Sequence, residues 1–180
     1  MTPKTKALLR EYAESIAIAL ILALLVRTFI VQAFKIPTGS MRPTLVEGDR
    51  ILVNKFIYRF REPQTGDIVV FKYPEDPKRD FIKRLVATGG QRLEIRSGQL
   101  IVDGKVLEKE GSFGQRYYYN QGSFAKEGEE VRIPEDSFFV PGDNSASSRD
   151  SRYWGFVPKR HLVGKAFFLY WPPTRIRIVR

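Results

Sequence analysis

No cysteine occurs among the 180 residues and histidine occurs once, at His161. Disulfides, thiolate nucleophiles, cysteine-ligated metals and multi-histidine metal sites are therefore excluded, and no metal is expected. Thirty Lys and Arg against twenty Asp and Glu give a formal charge of +10, scattered from Lys4 to Arg180 with no block of five or six; this argues against a nucleic-acid-binding arm and leaves a solvated surface or attraction to anionic lipid.

Residues 1–14 carry Lys4, Lys6 and Arg10 and are expected to stay in the cytoplasm. Ile16 to Phe34, "IAIALILALLVRTFIVQAF", holds one charge, Arg27. As a helix those residues span roughly 28 Å, about one hydrocarbon thickness, so residues 15–34 are expected to form a transmembrane anchor. Arg27 can snorkel to the outer interface. A cleaved signal peptide is the rival reading, but "VQAFKIP" offers no convincing small-x-small site after the apolar run. A buried helix would need a helical partner, and no other segment reads as one.

The anchor is followed at once by "KIPTGSMRPTL", Lys35 to Leu45, which sets Ser40 between Gly39 and Met41 with Pro37 and Pro43 on either side. Gly39 is expected to let the backbone bend closely around Ser40, with the prolines stiffening the turn.

From Asp49 onward the pattern is short alternating runs broken by turn residues, and "DRILVNKFIY", "GDIVVFKY" and "DFIKRLVATGG" read as strands. "QLIVDGKVLE" reads as a hairpin whose Asp103-Gly104 pair suits a type I′ turn. Gly111 to Glu130 is rich in Gly, Tyr and charge, and is expected to leave the main body as a flap or small subdomain. "DSFFVPGDN", "GKAFFLYWPP" and "TRIRIVR" return to strand patterning. Nothing beyond Phe34 sustains a 3.6-residue period.

Few residues here can do chemistry. His161 lies in "PKRHLVGKA" with no evident serine–acid partnership, which favours a structural or surface role. No carboxylate pair stands out, and phosphate-binding and dinucleotide fingerprints are absent, so no cofactor is expected. Serine with lysine remains. A serine hydroxyl needs a base, and lysine serves only when neutral, which requires its pKa to fall by roughly 3. In "DFIKRLVA" a period of two places Phe81, Leu85 and Ala87 on the face of Lys83, while Arg84 points to the other face and can stay wet. The polar run "PGDNSASSRDSRYWGFVP", Pro141 to Pro158, is either a solvated loop or a set of groups able to hold a lysine in place.

Taken in order, the apolar anchor, "PTGSMRPTL", "GDIVVFKYP", "DFIKRLVA" and "GDNSASSRDSRYWG" resemble the type I signal peptidases, membrane-anchored proteases that remove signal peptides from exported proteins. The resemblance covers nearly the whole chain. It implies Ser40 as nucleophile, Lys83 as general base, Thr38 as an oxyanion-hole hydroxyl beside the Ser40 N–H, and Ser148 as the serine that orients the lysine. Asp150 and Arg152 match the charged pair supporting the site. Phe34, Ile36, Pro37, Met41, Leu45, Phe81 and Ile82 fall where the family lines its shallow substrate pockets. Asp80 and Ile82 lie on the strand expected to pair with the substrate backbone. The family usually reads Gly-x-Pro-Gly-Asp after the lysine strand, whereas Ala87 to Gln91 reads "ATGGQ".

The expected fold is mainly β: an antiparallel, partly open β-barrel body (35–96 and 138–180) with a small inserted β subdomain or flap (97–137), after one transmembrane helix. The expected partners are signal-peptide-bearing precursors and membrane lipid, with no nucleic acid. The implied setting is a bacterial plasma membrane or thylakoid-type membrane, with the catalytic domain on the outer or periplasmic face. Two alternatives remain: a membrane-tethered β module that binds without catalysis, and a self-cleaving Ser/Lys protease.

Overall fold

The structure is a computed structural model, and it describes residues 3–107, 113, 116–119 and 122–179. Much of the expected 111–130 excursion lies outside the described residues.

An α-helix, α1, runs from Pro3 to Leu25 and continues into a single π turn, Val26–Ile30, closed by the Val31 N–H on the Val26 carbonyl. The stretch Arg10–Ile30 is long and apolar enough to cross a membrane and none of it is buried against the rest of the chain. The sequence reading carried this helix to Phe34. Instead Val31–Lys35 is a strand, β1, paired antiparallel with β2, Arg50–Asn54. Local apolarity reads the same in a lipid-facing helix and in a half-buried strand, so the ladder to β2 decides where the helix stops.

The remaining strands of the main sheet are β3 (Ile68–Tyr73) and β4 (Asp76–Arg84), followed much later by β12 (Leu162–Trp171) and β13 (Arg177–Ile178). Their order is β1-β2-β12-β3-β4, with β13 also on β12, and every pairing is antiparallel. Irregularities within β12 bend the sheet into a curled half-barrel. Its interior is filled by Ile51, Val53, Ile68, Val70, Ala166 and Leu169, all at most 2% exposed. Each of these side chains larger than alanine contributes about 1.5–3 kcal/mol when fully buried. The outer edge of β4 carries no neighbouring strand among the described residues.

A three-stranded sheet joins β5 (Ala87–Thr88), β10 (Ser137–Phe139) and β11 (Val157–Pro158). Here "ATGGQ" folds without the family's proline and acid: the Gln91 side-chain oxygen accepts from the Thr88 N–H at 2.9 Å and from its hydroxyl at 3.1 Å. Four short strands form the small sheet: β6 (Arg92–Arg96), β7 (Gln99–Val102), β8 (Lys105–Val106) and β9 (Val131–Arg132). The sequence reading gave residues 92–96 to the main body, but they pair with β7 and β9. The polarity of the chain does not change there, and only partner choice marks the boundary. Asp103 and Gly104, both at positive φ, close the β7–β8 hairpin as their type I′ signature requires.

Candidate active site

Ser40 sits in a one-turn 3₁₀ segment, Gly39–Met41. Met41 and Leu45, both fully buried, plug the turn into the barrel core, and the Leu45 N–H bonds the Met41 carbonyl at 2.9 Å. Gly39 does not owe its place to an unusual φ. A Cβ there would come within 2.8 Å of the Glu47 carboxylate and 3.1 Å of the Arg42 guanidinium, two side chains that pair across the turn.

Strand β4 brings Lys83 to this turn from the facing side. Its Nζ lies 2.6 Å from Ser40 Oγ, and the lysine is only 4% exposed. The Phe81 ring stands 5.7 Å from the same nitrogen. Burial pulls the Lys83 pKa from its ordinary 10.5 down to about 8; the Asp150 and Asp143 carboxylates oppose that shift and Arg152 assists it. Thr38 Oγ1 is 3.4 Å from Ser40 Oγ.

The segment from Pro141 to Arg152 forms the wall behind the pair. Asn144 grips the nucleophile turn twice: its backbone N–H bonds the Ser40 carbonyl and its side-chain amide bonds the Gly39 carbonyl, each at 3.0 Å. Gly142 permits this close approach, because a Cβ would lie 2.2 Å from Ser148 Oγ and 2.5 Å from the Ser40 carbonyl oxygen. Asp150 accepts from the Gly142 N–H at 2.8 Å and binds Arg152 through both carboxylate oxygens. Arg152 then donates to the Ser145 and Ser148 carbonyls. Ser148 Oγ is buried and has no hydrogen-bond partner among the described residues, so it makes no bond to Lys83 here.

Arg84 departs from the sequence reading. It is fully buried rather than wet, with Nε and Nη2 on the two oxygens of Asp143 at 2.7 and 2.8 Å and Nη1 on the Gly66 carbonyl. Asp143 also receives the Thr44 hydroxyl and lies 3.3 Å from Arg116. Alternation put Arg84 on the face away from Lys83, and that face is covered by the 141–152 segment, which strand periodicity alone does not reveal.

The residues assigned to substrate pockets divide in two. Ile36, Met41 and Leu45 are at most 2% exposed and form a floor beneath the turn rather than an open wall. Phe34 and Ile82 are half-buried against the same cluster, Phe81 stacks on Tyr73 at 4.5 Å, and Pro37 and Asp80 are exposed. His161 bonds the Lys72 carbonyl through Nδ1 at 3.2 Å.

Sequence reasoning missed Asn144, Asp143 and Arg84. The available signal was the triplet "GDN" directly after the apolar "SFFVP": polar side chains that follow a buried strand without a turn-and-exit pattern must find partners.

The model for the family described as signal peptidase, peptidase S26, matches residues 9–171. A Synechocystis protein named "Probable signal peptidase I-1" is 38% identical over 180 residues, covering 96% of this chain and 88% of its own. Signal peptidase I of Leptolyngbya laminosa is 36% identical, with 97% and 85% covered. Signal peptidase I of Aquifex aeolicus is 34% identical, with 91% and 84% covered. With the match spanning anchor, serine turn, lysine strand and supporting wall, the chain belongs to the signal peptidase family, peptidase S26.

Proposed function

We propose that this chain is a serine endopeptidase that removes N-terminal signal peptides from exported precursors, with Ser40 as nucleophile and Lys83 as general base. The observation that carries the assignment is the 2.6 Å contact between a nearly water-free lysine nitrogen and the Ser40 hydroxyl. An ammonium in that position attracts no proton from serine, whereas a neutral amine does. Family membership sets aside the non-catalytic module and the self-cleaving protease.

An extended substrate adds to the open edge of β4 beside Asp80 and Ile82 and presents its scissile carbonyl to Ser40. Lys83 takes the hydroxyl proton as Oγ attacks. The Ser40 N–H and Thr38 hydroxyl receive the oxyanion; a donor so placed is typically worth 10²–10³ in rate. The Lys83 ammonium returns the proton to the leaving amine, and a water deprotonated by Lys83 then hydrolyses the acyl-serine. Ser148 is assigned the orienting role on its burial beside the Ser40 turn and its unspent hydrogen-bonding capacity. Asp150 and Arg152 keep the wall in place. Phe34, Phe81 and Ile82, above the buried floor of Ile36, Met41 and Leu45, shape pockets small enough to favour Ala-x-Ala sites.

The span Arg10–Ile30 anchors the chain, with the cytoplasm on the side of Lys4, Lys6 and Arg10 and the catalytic body, residues 31–91 and 133–179, on the outer face. Phe34 and Trp171, the latter 49% exposed, touch the lipid. The small sheet stands as an inserted unit. Full-length protein in detergent is expected to cut a secreted precursor after a small-x-small site, read by N-terminal sequencing of the product. An uncut precursor, or cleavage that persists unchanged in Ser40→Ala, overturns the assignment.

A further inference from the structure

A cavity of about 840 Å³ opens where the anchor meets the β body, outside the site described above. Leu22 and Val26 of the anchor line one side, and Ala33 and Leu52 of the β1–β2 ladder line the other. Two cations, Arg27 and Lys55, stand in the same lining, and no Asp or Glu does. From this juxtaposition we infer that the cavity binds one anionic phospholipid, its phosphate held by Arg27 and Lys55 and the start of its acyl chains lying against Leu22, Val26, Ala33 and Leu52.

The membrane geometry fits such a ligand. Arg27 lies three residues from the end of the apolar span, about one helical turn, which is headgroup depth. Leu22 is deeper by more than a turn, at acyl depth. Lys55 is fixed at the upper level: its backbone N–H bonds the Ile30 carbonyl and its Nζ bonds the Thr28 carbonyl, both at 2.9 Å. The second of these bonds has a local cause. The helix ends at Ile30, so the Thr28 carbonyl loses its partner in the next turn, and the lysine supplies one. That uses one of the three N–H bonds of the ammonium and leaves two for a phosphate. Arg27 makes no ion pair among the described residues, and its planar guanidinium suits bidentate phosphate binding. The π turn that carries Arg27 is a rare form that occurs frequently at functional sites. The volume is within the range of ordinary ligand clefts.

This inference rests on the anchor spanning the membrane but not on the identity of the catalytic pair. The test uses the full chain in nanodiscs of equal phosphatidylglycerol and phosphatidylcholine, with retained lipid counted by native mass spectrometry. Wild type is expected to keep one phosphatidylglycerol in preference. Arg27→Gln/Lys55→Gln should lower that preference about thirtyfold, the loss expected for two interfacial cations. Arg27→Gln alone, which spares the Lys55–Thr28 bond, should lose part of it. Ala33→Trp should lose the lipid with both charges intact, by filling the cavity. Lys105→Gln/Lys126→Gln, two exposed charges on β8 and on the segment before β9, should change nothing. Cleavage of a short soluble peptide should be the same in all of them. Equal retention of both lipids by wild type, or an equal loss in the Lys105/Lys126 variant, overturns the inference while leaving the peptidase reading standing. Failure of the wild type to enter nanodiscs overturns the inference together with the anchor.

Discussion

Lys83→Ala is expected to lower precursor cleavage by about 10³–10⁴, and Ser40→Ala by a similar factor, with the double variant little worse than either. The two groups act as one unit, so removing one leaves the other without a function. Lys83→Met should be just as inactive yet more stable than wild type at neutral pH, and the sign follows from proton linkage. Lys83 has its pKa lowered to about 8 in the fold, from an ordinary 10.5. Between those values the unfolded chain holds the proton and the folded chain does not, so stability rises with pH across that window. Below pH 8 both states are protonated, and the folded state carries the buried ammonium at its full cost of about 3 kcal/mol. Methionine removes that cost. Denaturant unfolding in detergent should therefore show an advantage of up to about 3 kcal/mol at pH 7 that shrinks toward pH 10. A Lys83→Met protein that is less stable at pH 7 would mean the ammonium is welcome where it sits.

Arg84→Met is expected to cost about 3–5 kcal/mol, the usual result of stripping one partner from a buried ion pair. Both side chains are fully buried and joined through two hydrogen bonds, so the orphaned Asp143 carboxylate has no route to water. Thr44 and Arg116 remain beside it and set the lower end of that range. Arg84→Met/Asp143→Leu should recover much of the loss, because a matched apolar pair leaves no stranded charge. Activity should follow stability here with an added deficit, since Asp143 adjoins Asn144, whose two bonds hold the Ser40 turn. The check is denaturant unfolding of the three proteins. A loss below about 1 kcal/mol for Arg84→Met would show that the pair is solvated.

The parts of this fold legible in the sequence are those set by local pattern. The strand that carries Phe81 and Lys83 and the Asp103-Gly104 turn appear where residue order places them, and so does the apolar span as far as Ile30; the strand itself ends at Arg84, and Ala87 joins another sheet. The parts that escaped depend on what packs against each element. Arg84 reads as wet because a strand has two faces and nothing local says that the second is covered by Pro141–Arg152. Val31–Phe34 reads as helix because lipid and a neighbouring strand accept the same side chains. Ile36, Met41 and Leu45 carry the right residue types for a pocket, yet they lie beneath the turn, since the register that buries Ile36 is set by β2. At the site itself, residue types and order pointed to Ser40 with Lys83. The grip of Asn144 on two carbonyls could not be read, because the partners are more than a hundred residues away.

The account depends on the neutral form of Lys83 being the base, and the pH dependence of kcat/KM for a soluble peptide substrate, taken with full-length protein from pH 5 to 10, tests it most directly. Activity should fall tenfold per pH unit on the acidic side of a midpoint near 8, as the Lys83 amine takes up a proton. A profile that stays flat from pH 5 to 9 would contradict a lysine base at this site.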